Sequence, residues 1–230
     1  MKKQILITDR FALEAQLKLS SHPLLNVVLS QHTRPTAQEL QNTEILVIRS
    51  RTKITKELLD QAPNLRLIVS ATSGFDHIDL QLTKERAVFV MHTPEANSAS
   101  AAELTWSLVM ASARELPNAH RQVKAGQWNR EALKGIELEG KTFGIIGLGR
   151  IGSRVAKFAN AFGMKVLAFD PFRDEDYFAS RNAERVGLQE ILKQSQFLSL
   201  HVPYTADTHH MLNRSNFEFM CRDIILINTC

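Results

Sequence analysis

The chain has 230 residues, of which 44% are hydrophobic and 23% are charged, a composition typical of a soluble globular protein with one or two domains. Its formal net charge is +4, but its 28 Lys and Arg residues are scattered along the chain among acidic ones. Proteins that bind nucleic acids usually concentrate basic residues on one face, so we expect a mixed surface and no nucleic-acid partner.

The sequence predicts a cytoplasmic protein. The apolar run near the N terminus covers only Ile5 to Ile7, which is too short for a signal peptide. The sequence contains no run of about 18 apolar residues, so we expect no membrane span. The two cysteines, Cys221 and Cys230, indicate a reducing compartment rather than a disulfide framework, and we expect no metal site.

Short apolar runs alternate with amphipathic stretches over the first 97 residues. The stretches predict helices at 10–19, 36–41, 55–61 and 79–85. The runs predict buried strands at 4–8, 26–30, 44–50, 65–70 and 87–91. This alternation favours a parallel sheet covered by helices on both faces.

Residues 93–128 are rich in Ala, Leu, Met and Glu and predict a long helix that Pro117 divides or restarts. This segment is apolar over much of its surface, which indicates either packing against a sheet or a subunit interface. The alternation then resumes. It predicts strands at 142–146, 165–170, 195–200 and 223–228, with helices at 151–161, 188–194 and 214–220.

The stretch GIIGLGRIG (144–152) carries the pattern G-x-G-x-x-G at Gly147, Gly149 and Gly152. The pattern alone is a weak signal. Here it follows a predicted strand, opens a predicted helix, and is followed by Asp170 at the end of the next strand, which completes the fingerprint of a dinucleotide site.

Each position of the fingerprint has a chemical role. Gly147 permits a tight turn, Gly149 lets a pyrophosphate approach the main chain, and Gly152 lets helix and strand pack closely. The amides of Arg150 and Ile151 point at the phosphates. Asp170 accepts hydrogen bonds from the adenosine ribose, which favours NAD. Arg173 is close to Asp170 in the sequence, so NADP remains an alternative cofactor. No G-x-x-x-x-G-K-[ST] loop supports phosphoryl transfer.

With these motifs in place, the sequence resembles the D-isomer-specific 2-hydroxyacid dehydrogenases, the family of D-3-phosphoglycerate dehydrogenase. The resemblance is carried by VIRSRTKIT (47–55), SATSGFDHID (70–79), TPEANSASAAELT (93–105), GKTFGIIGLGRIG (140–152), AFDPF (168–172), HVPYTADTHHML (201–212) and ILINTC (225–230). It implies an α/β protein with a flavodoxin-like substrate domain (1–97), a Rossmann NAD-binding domain (98–230) that is incomplete at its C terminus, and an active site in the cleft between them.

The resemblance also implies roles for individual residues. The backbone of Thr72, Ser73 and Gly74 would bind the substrate carboxylate, and Ser73 would also lie near the nicotinamide. Thr72 stands where a glycine is more common in the family. Arg49 and Arg51 would bind the anionic end of a phosphorylated substrate. An equally good interpretation is that they are surface charges at the end of a strand.

On the cofactor side, the family pattern places His201, Val202 and Pro203 at the adenosine and its ribose. It places Thr208 on the phosphate side, and Thr229 and Cys230 beside the nicotinamide. Residues 98–126 would form the interface of a homodimer.

The family's hydride chemistry needs an arginine, a glutamate and a histidine, which would all follow Cys230. We therefore expect no catalytic residue within the chain. His201 lacks an evident carboxylate partner, and His77 is interpreted as a turn residue that could contact Asp76 or Asp79. Cys230 has no histidine partner that would make it a nucleophile.

A doubly wound sheet of order 3-2-1-4-5-6 would then end at strand 4 as an unpaired edge, which predicts weakened stability and little or no turnover. The leading hypothesis is an NAD-dependent oxidoreductase that acts on the CH–OH group of a D-2-hydroxyacid, with 3-phosphoglycerate as one candidate, represented here by a truncated chain. The alternatives are a non-catalytic NAD(H) sensor similar to a corepressor, and a fragment that only dimerises.

Overall fold

The computed structural model describes residues 2–32 and 34–230. The chain forms two compact units, one up to Asn97 and one from Ser98 onward. No helix among the described residues is long and apolar enough to cross a membrane.

Within its described residues, the first unit has five parallel strands in the order β2-β1-β3-β4-β5, the flavodoxin-like order. The strands are β1 Lys3–Ile7, β2 Leu25–Leu29, β3 Ile45–Ile48, β4 Leu67–Ser70 and β5 Phe89–His92. The helices are α1 Leu13–Ser20, α2 Ala37–Gln41, α3 Lys56–Asp60 and α4 Leu80–Glu85. Each strand lies within two residues of its predicted bounds. The central strands β1, β3 and β4 are largely buried, as expected for apolar runs in a parallel sheet, whereas the edge strands β2 and β5 contain no fully buried residue.

Side-chain caps fix where the short helices of this unit begin. Thr36 and Glu39 form a capping box at α2, and Thr55 accepts a hydrogen bond from an amide of α3. Asp79 accepts hydrogen bonds from the amides of Gln81 and Leu82 at α4. The Asp79 carboxylate is therefore a helix cap, and the suggested contact between it and His77 is wrong.

The second unit, whose residues are all described, has five parallel strands in the order β10-β9-β6-β7-β8. The helices are α5 Ser98–Ala113, α6 Leu116–Lys124, α7 Arg150–Ala161, α8 Glu175–Ala179, α9 Leu188–Gln194 and α10 Arg214–Phe217. The strands are β6 Thr142–Ile146, β7 Lys165–Phe169, β8 Glu184–Arg185, β9 Phe197–Leu200 and β10 Ile225–Asn228.

Two of these elements, α8 and β8, are absent from the predictions, and β8 adds a strand to the sheet. Helix α8 is a single short segment, and β8 consists of two exposed charged residues, so neither has the apolar pattern that reveals an element in a sequence. With β8 present the sheet contains the first five strands of the doubly wound order. The last strand is therefore the fifth of that order and not the fourth: β9 pairs with both β6 and β10, and β10, the predicted strand at 223–228, lies at the edge of the sheet.

Helix α5 packs on the sheet through small and branched residues at helical spacing. Ala102, Thr105, Val109 and Ala113 are buried, while Leu104 and Leu108 on another face are 55% and 41% exposed. The helix ends before Glu115, whose φ of +54° turns the chain into α6. Pro117 lies in the first turn of α6, as expected for a restart.

Candidate cofactor and substrate site

The chain turns sharply between β6 and α7, and two of the three fingerprint glycines are required there by packing. Gly147 has a φ of +92°, in the left-handed region that favours glycine, and a Cβ on it would lie 2.5 Å from the carbonyl oxygen of His201. A Cβ on Gly152 would overlap the carbonyl oxygen of Gly147. These two glycines let β6, α7 and the end of β9 approach one another.

Gly149 is different, because neither strain nor packing accounts for it. Its φ is −80°, and a Cβ built on it would meet no atom within 4 Å. No side chain caps α7, and helical bonding starts with the amide of Ser153 on the carbonyl oxygen of Gly149 at 2.9 Å. The turn therefore leaves open space over bare main chain at the positive end of a helix of 12 residues, which fits a pyrophosphate.

Asp170 follows β7 at the same edge of the sheet and is only 9% exposed. Its Oδ2 accepts a hydrogen bond from the amide of Leu148 at 2.9 Å, and its Oδ1 accepts one from the amide of Phe172 at 3.0 Å. A carboxylate oxygen accepts more than one hydrogen bond, so capacity for two ribose hydroxyls remains. The carboxylate is thus fixed in orientation by main chain on both sides.

Arg173, the residue because of which NADP remained an alternative cofactor, lies against an aromatic ring. Its guanidinium is 4.4 Å from the ring centroid of Tyr177 in α8, and the guanidinium of Arg181 lies 3.3 Å from the same centroid. Arg181 also donates to Ser153 of α7 at 2.8 Å. Sequence reasoning missed this cluster because α8 itself was missed.

His201 follows β9 and lies against the glycine turn. Its amide donates to the carbonyl oxygen of Ile146 at 2.8 Å, and its Nε2 lies 2.7 Å from the hydroxyl of Ser199. Burial lowers the pKa of His201 to about 4, so the ring is neutral at pH 7. A neutral imidazole with so low a pKa is poorly suited to act as a general acid.

The loop after His201 is organised by its own hydroxyl groups. Thr208 Oγ1 donates to the carbonyl oxygen of Pro203 at 2.5 Å and accepts from the amide of Thr205 at 2.8 Å. Val202 packs next to Gly147, since a Cβ on that glycine would lie 2.8 Å from a methyl group of Val202. The contacts of Val202, Pro203 and Thr208 with a cofactor stay predictions.

Thr229 and Cys230 follow β10 at the same edge. The hydroxyl of Thr229 lies 2.9 Å from that of Thr105 in α5. The thiol of Cys230 donates to the carbonyl oxygen of Leu200 at 3.2 Å, and partial burial of the sulfur raises its pKa. A raised pKa disfavours the thiolate and a nucleophilic role. Among the described residues no group of three or more His, Cys, Asp or Glu side chains is arranged to hold a metal ion.

In the first unit, the predicted substrate residues follow β3 and β4. Thr72, Ser73 and Gly74 form the loop after β4, where Ser73 Oγ donates to the carbonyl oxygen of Pro94 at 3.2 Å. Arg49 and Arg51 are both exposed after β3. The Arg49 side chain donates to the carbonyl oxygen of Arg10 at 3.3 Å, so it is partly engaged within its own unit.

Residues 106–230 match the family model described as D-isomer specific 2-hydroxyacid dehydrogenase, NAD binding domain. Among curated proteins, the D-3-phosphoglycerate dehydrogenase of Methanocaldococcus jannaschii is 37% identical over 226 residues, which are 98% of this chain and 43% of that protein. The hydroxypyruvate reductase of Thermotoga maritima is 43% identical over 190 residues, which are 83% of this chain and 61% of that protein.

A solved structure shows the same fold. The D-lactate dehydrogenase of Aquifex aeolicus, complexed with NAD and lactic acid, matches with a TM-score of 0.87 and 33% identity over 99% of this chain and 69% of that chain. The chain spans about half the length of the two curated relatives. Together with the glycine turn and Asp170, these matches show that the chain belongs to the D-isomer-specific 2-hydroxyacid dehydrogenase family, with the family's NAD-binding domain at residues 106–230.

Proposed function

We propose that this chain is the cofactor- and substrate-binding part of an NAD-dependent oxidoreductase that acts on the CH–OH group of a D-2-hydroxyacid. The observation that carries the proposal is the open main chain at Gly149 beside the fixed carboxylate of Asp170. Bound NAD would supply the acceptor for the hydride that leaves the substrate carbon. The named activities of the relatives, which act as dehydrogenases and reductases of such acids, support this class.

On the cofactor side, the main chain from Gly149 to Gly152 holds the pyrophosphate and Asp170 holds the adenosine ribose. His201, Val202 and Pro203 border the adenosine, and the loop held by Thr208 lies on the phosphate side. Thr229 and Cys230 lie beside the nicotinamide. A carboxylate at position 170 repels a 2′-phosphate, so NAD is preferred over NADP.

On the substrate side, the backbone of Thr72, Ser73 and Gly74 binds the carboxylate of the acid, and Ser73 also borders the nicotinamide. Arg49 and Arg51 bind an anionic group at the far end of the substrate, which favours phosphorylated acids such as 3-phosphoglycerate. We assign proton transfer to no residue of this chain, and His201, which directly follows β9 at the cofactor edge, is buried and neutral.

The homodimer is part of the same proposal. Leu104 and Leu108 lie one helical turn apart on α5, and Leu116 and Val123 on α6 are 51% and 59% exposed. A second copy of the chain would cover this apolar surface, which belongs to residues 98–126.

Titration of NADH fluorescence tests the proposed function. We expect a saturable change with NADH and a weaker one with NADPH, whereas a fragment that only dimerises would give none. Steady-state oxidation of D-3-phosphoglycerate by the same sample should show little or no turnover. Turnover by this chain would contradict the assignment of proton transfer to no residue within it.

A further inference from the structure

The loop after β4 contains a hydrogen-bonded chain of three side chains that its predicted substrate contacts do not require. Thr72 Oγ1 lies 2.7 Å from the hydroxyl of Ser70 and donates to the carbonyl oxygen of Gly74 at 2.8 Å. Ser70 Oγ lies 3.1 Å from Nε2 of His77. We call this chain of side chains the Ser70–Thr72–His77 relay.

The direction of every bond in the relay follows from the number of protons. The single hydroxyl proton of Thr72 is used on Gly74, because a carbonyl oxygen only accepts. Thr72 must therefore accept from Ser70, and Ser70, whose own proton is now used, must accept from His77. Burial lowers the pKa of His77, against opposing effects of Asp76 and Asp9, so the ring carries one proton at pH 7. That proton is assigned to Nε2.

The relay is one of several contacts that turn the loop's carbonyl groups inward. The carbonyl oxygen of Thr72 accepts from the amide of Thr93 at 3.3 Å, and that of Ser73 lies 3.1 Å from Nδ1 of His92. The carbonyl oxygen of Gly74 accepts from Thr72, so the carbonyl oxygens of three successive residues, 72–74, all have partners within the first unit.

In a trans peptide the amide N–H points opposite to the carbonyl that precedes it, and the described chain has no cis peptide bond. The amides of Ser73, Gly74 and Phe75 are therefore directed away from those acceptors. In the part of the chain that the structure describes, none of these three amides donates to a protein acceptor. Successive main-chain amides of this kind bind anions.

We propose that Thr72 is a positioning residue, which through Ser70 and His77 holds the amides of residues 73–75 ready for the carboxylate of a 2-oxo or 2-hydroxy acid. This proposal rests on the proposed function for the identity of the anion. Thr72 acts through the main chain, since its hydroxyl is already used on both sides.

The test compares Thr72→Val, which keeps the shape and removes the hydroxyl, with Thr72→Ser, which keeps the hydroxyl. Oxalate is titrated into the isotope-labelled full chain, with and without NADH, and the amide resonances of residues 73–75 are followed. The wild type and Thr72→Ser should show saturable shifts at these amides, and Thr72→Val should bind oxalate at least tenfold more weakly. The nitrogen shifts of His77 should show a protonated Nε2 in the wild type.

Three results would overturn the proposal: equal oxalate affinity of the Val and Ser variants, absence of oxalate shifts at 73–75 in the wild type, or a His77 protonated on Nδ1. If Thr72→Val does not fold, Ser70→Ala interrupts the same relay and must weaken oxalate binding likewise. Loss of NADH binding in every sample would instead contradict the proposed function. The oxalate titration without NADH tests the role of the relay independently of cofactor binding.

Discussion

Alanine at Gly149 and alanine at Gly152 should have opposite consequences, although the two glycines belong to one motif. At Gly149 a methyl group enters space that is empty in the protein, in a backbone conformation that alanine adopts. At Gly152 it overlaps a main-chain carbonyl oxygen, which cannot move aside without displacing the turn. The first change should affect cofactor binding, and the second should affect the fold.

The magnitudes follow from these surroundings. Gly149→Ala weakens the N-cap of α7 and should lower the free energy of unfolding by less than about 1 kcal/mol. Its methyl group would occupy the place assigned to the pyrophosphate, so the Kd for NADH should rise at least tenfold, or about 1.4 kcal/mol. Gly152→Ala forces main chain apart and should lower the free energy of unfolding by about 1–3 kcal/mol.

Urea unfolding of the ligand-free chain and NADH fluorescence titration measure the two effects separately. Gly187→Ala is a matched control, because a Cβ there also meets nothing within 4 Å and the residue lies at the N-cap of α9. The control should bind NADH as the wild type does. Unchanged NADH affinity in Gly149→Ala, or unchanged stability in Gly152→Ala, would refute the roles assigned to these glycines.

Three further predictions concern the second unit. Asp170→Asn places an amide NH₂ group against one of two main-chain N–H donors, so it should lower the free energy of unfolding by about 1–3 kcal/mol in urea unfolding. The same variant should discriminate less between NADH and NADPH, as measured by the Kd values from paired titrations. Burial lowers the pKa of His201 from 6.5 to about 4, so the unfolded chain takes up a proton that the folded chain does not. The free energy of unfolding should fall by up to about 3 kcal/mol as the pH falls from 6.5 toward 4. The free energy of unfolding of His201→Gln should depend less steeply on pH. If it depends on pH as that of the wild type does, His201 is not the group responsible. Leu104→Glu with Leu108→Glu should convert a dimer to a monomer in light scattering, whereas Leu13→Glu, which changes a leucine of the first unit that is 69% exposed, should not.

Much of the fold could be predicted because most of its strands are apolar runs, and the central ones are largely buried. The glycine fingerprint was likewise predictable, since a strand, a turn and a helix follow one another directly in the sequence. Strand β8 could not be predicted, because Glu184 and Arg185 are exposed and pair with β7 only through the backbone.

The predicted site residues could be identified by type but not by their partners. The sequence indicates a carboxylate at Asp170, but not that the amide of Leu148, 22 residues earlier, fixes its orientation. It indicates that Thr72 lies in the predicted substrate loop, but not that Ser70 and His77 complete a relay with it. These partners depend on how the ends of strands meet in three dimensions, and no local pattern encodes that.

A crystal structure of the full chain with NAD tests the central claim most directly. We predict pyrophosphate oxygens within hydrogen-bonding distance of the main-chain amides at the start of α7, no side chain between them and Gly149, and the adenosine ribose hydroxyls on the carboxylate of Asp170. A turn that stays empty at saturating NAD, or a cofactor bound elsewhere on the chain, would contradict the claim.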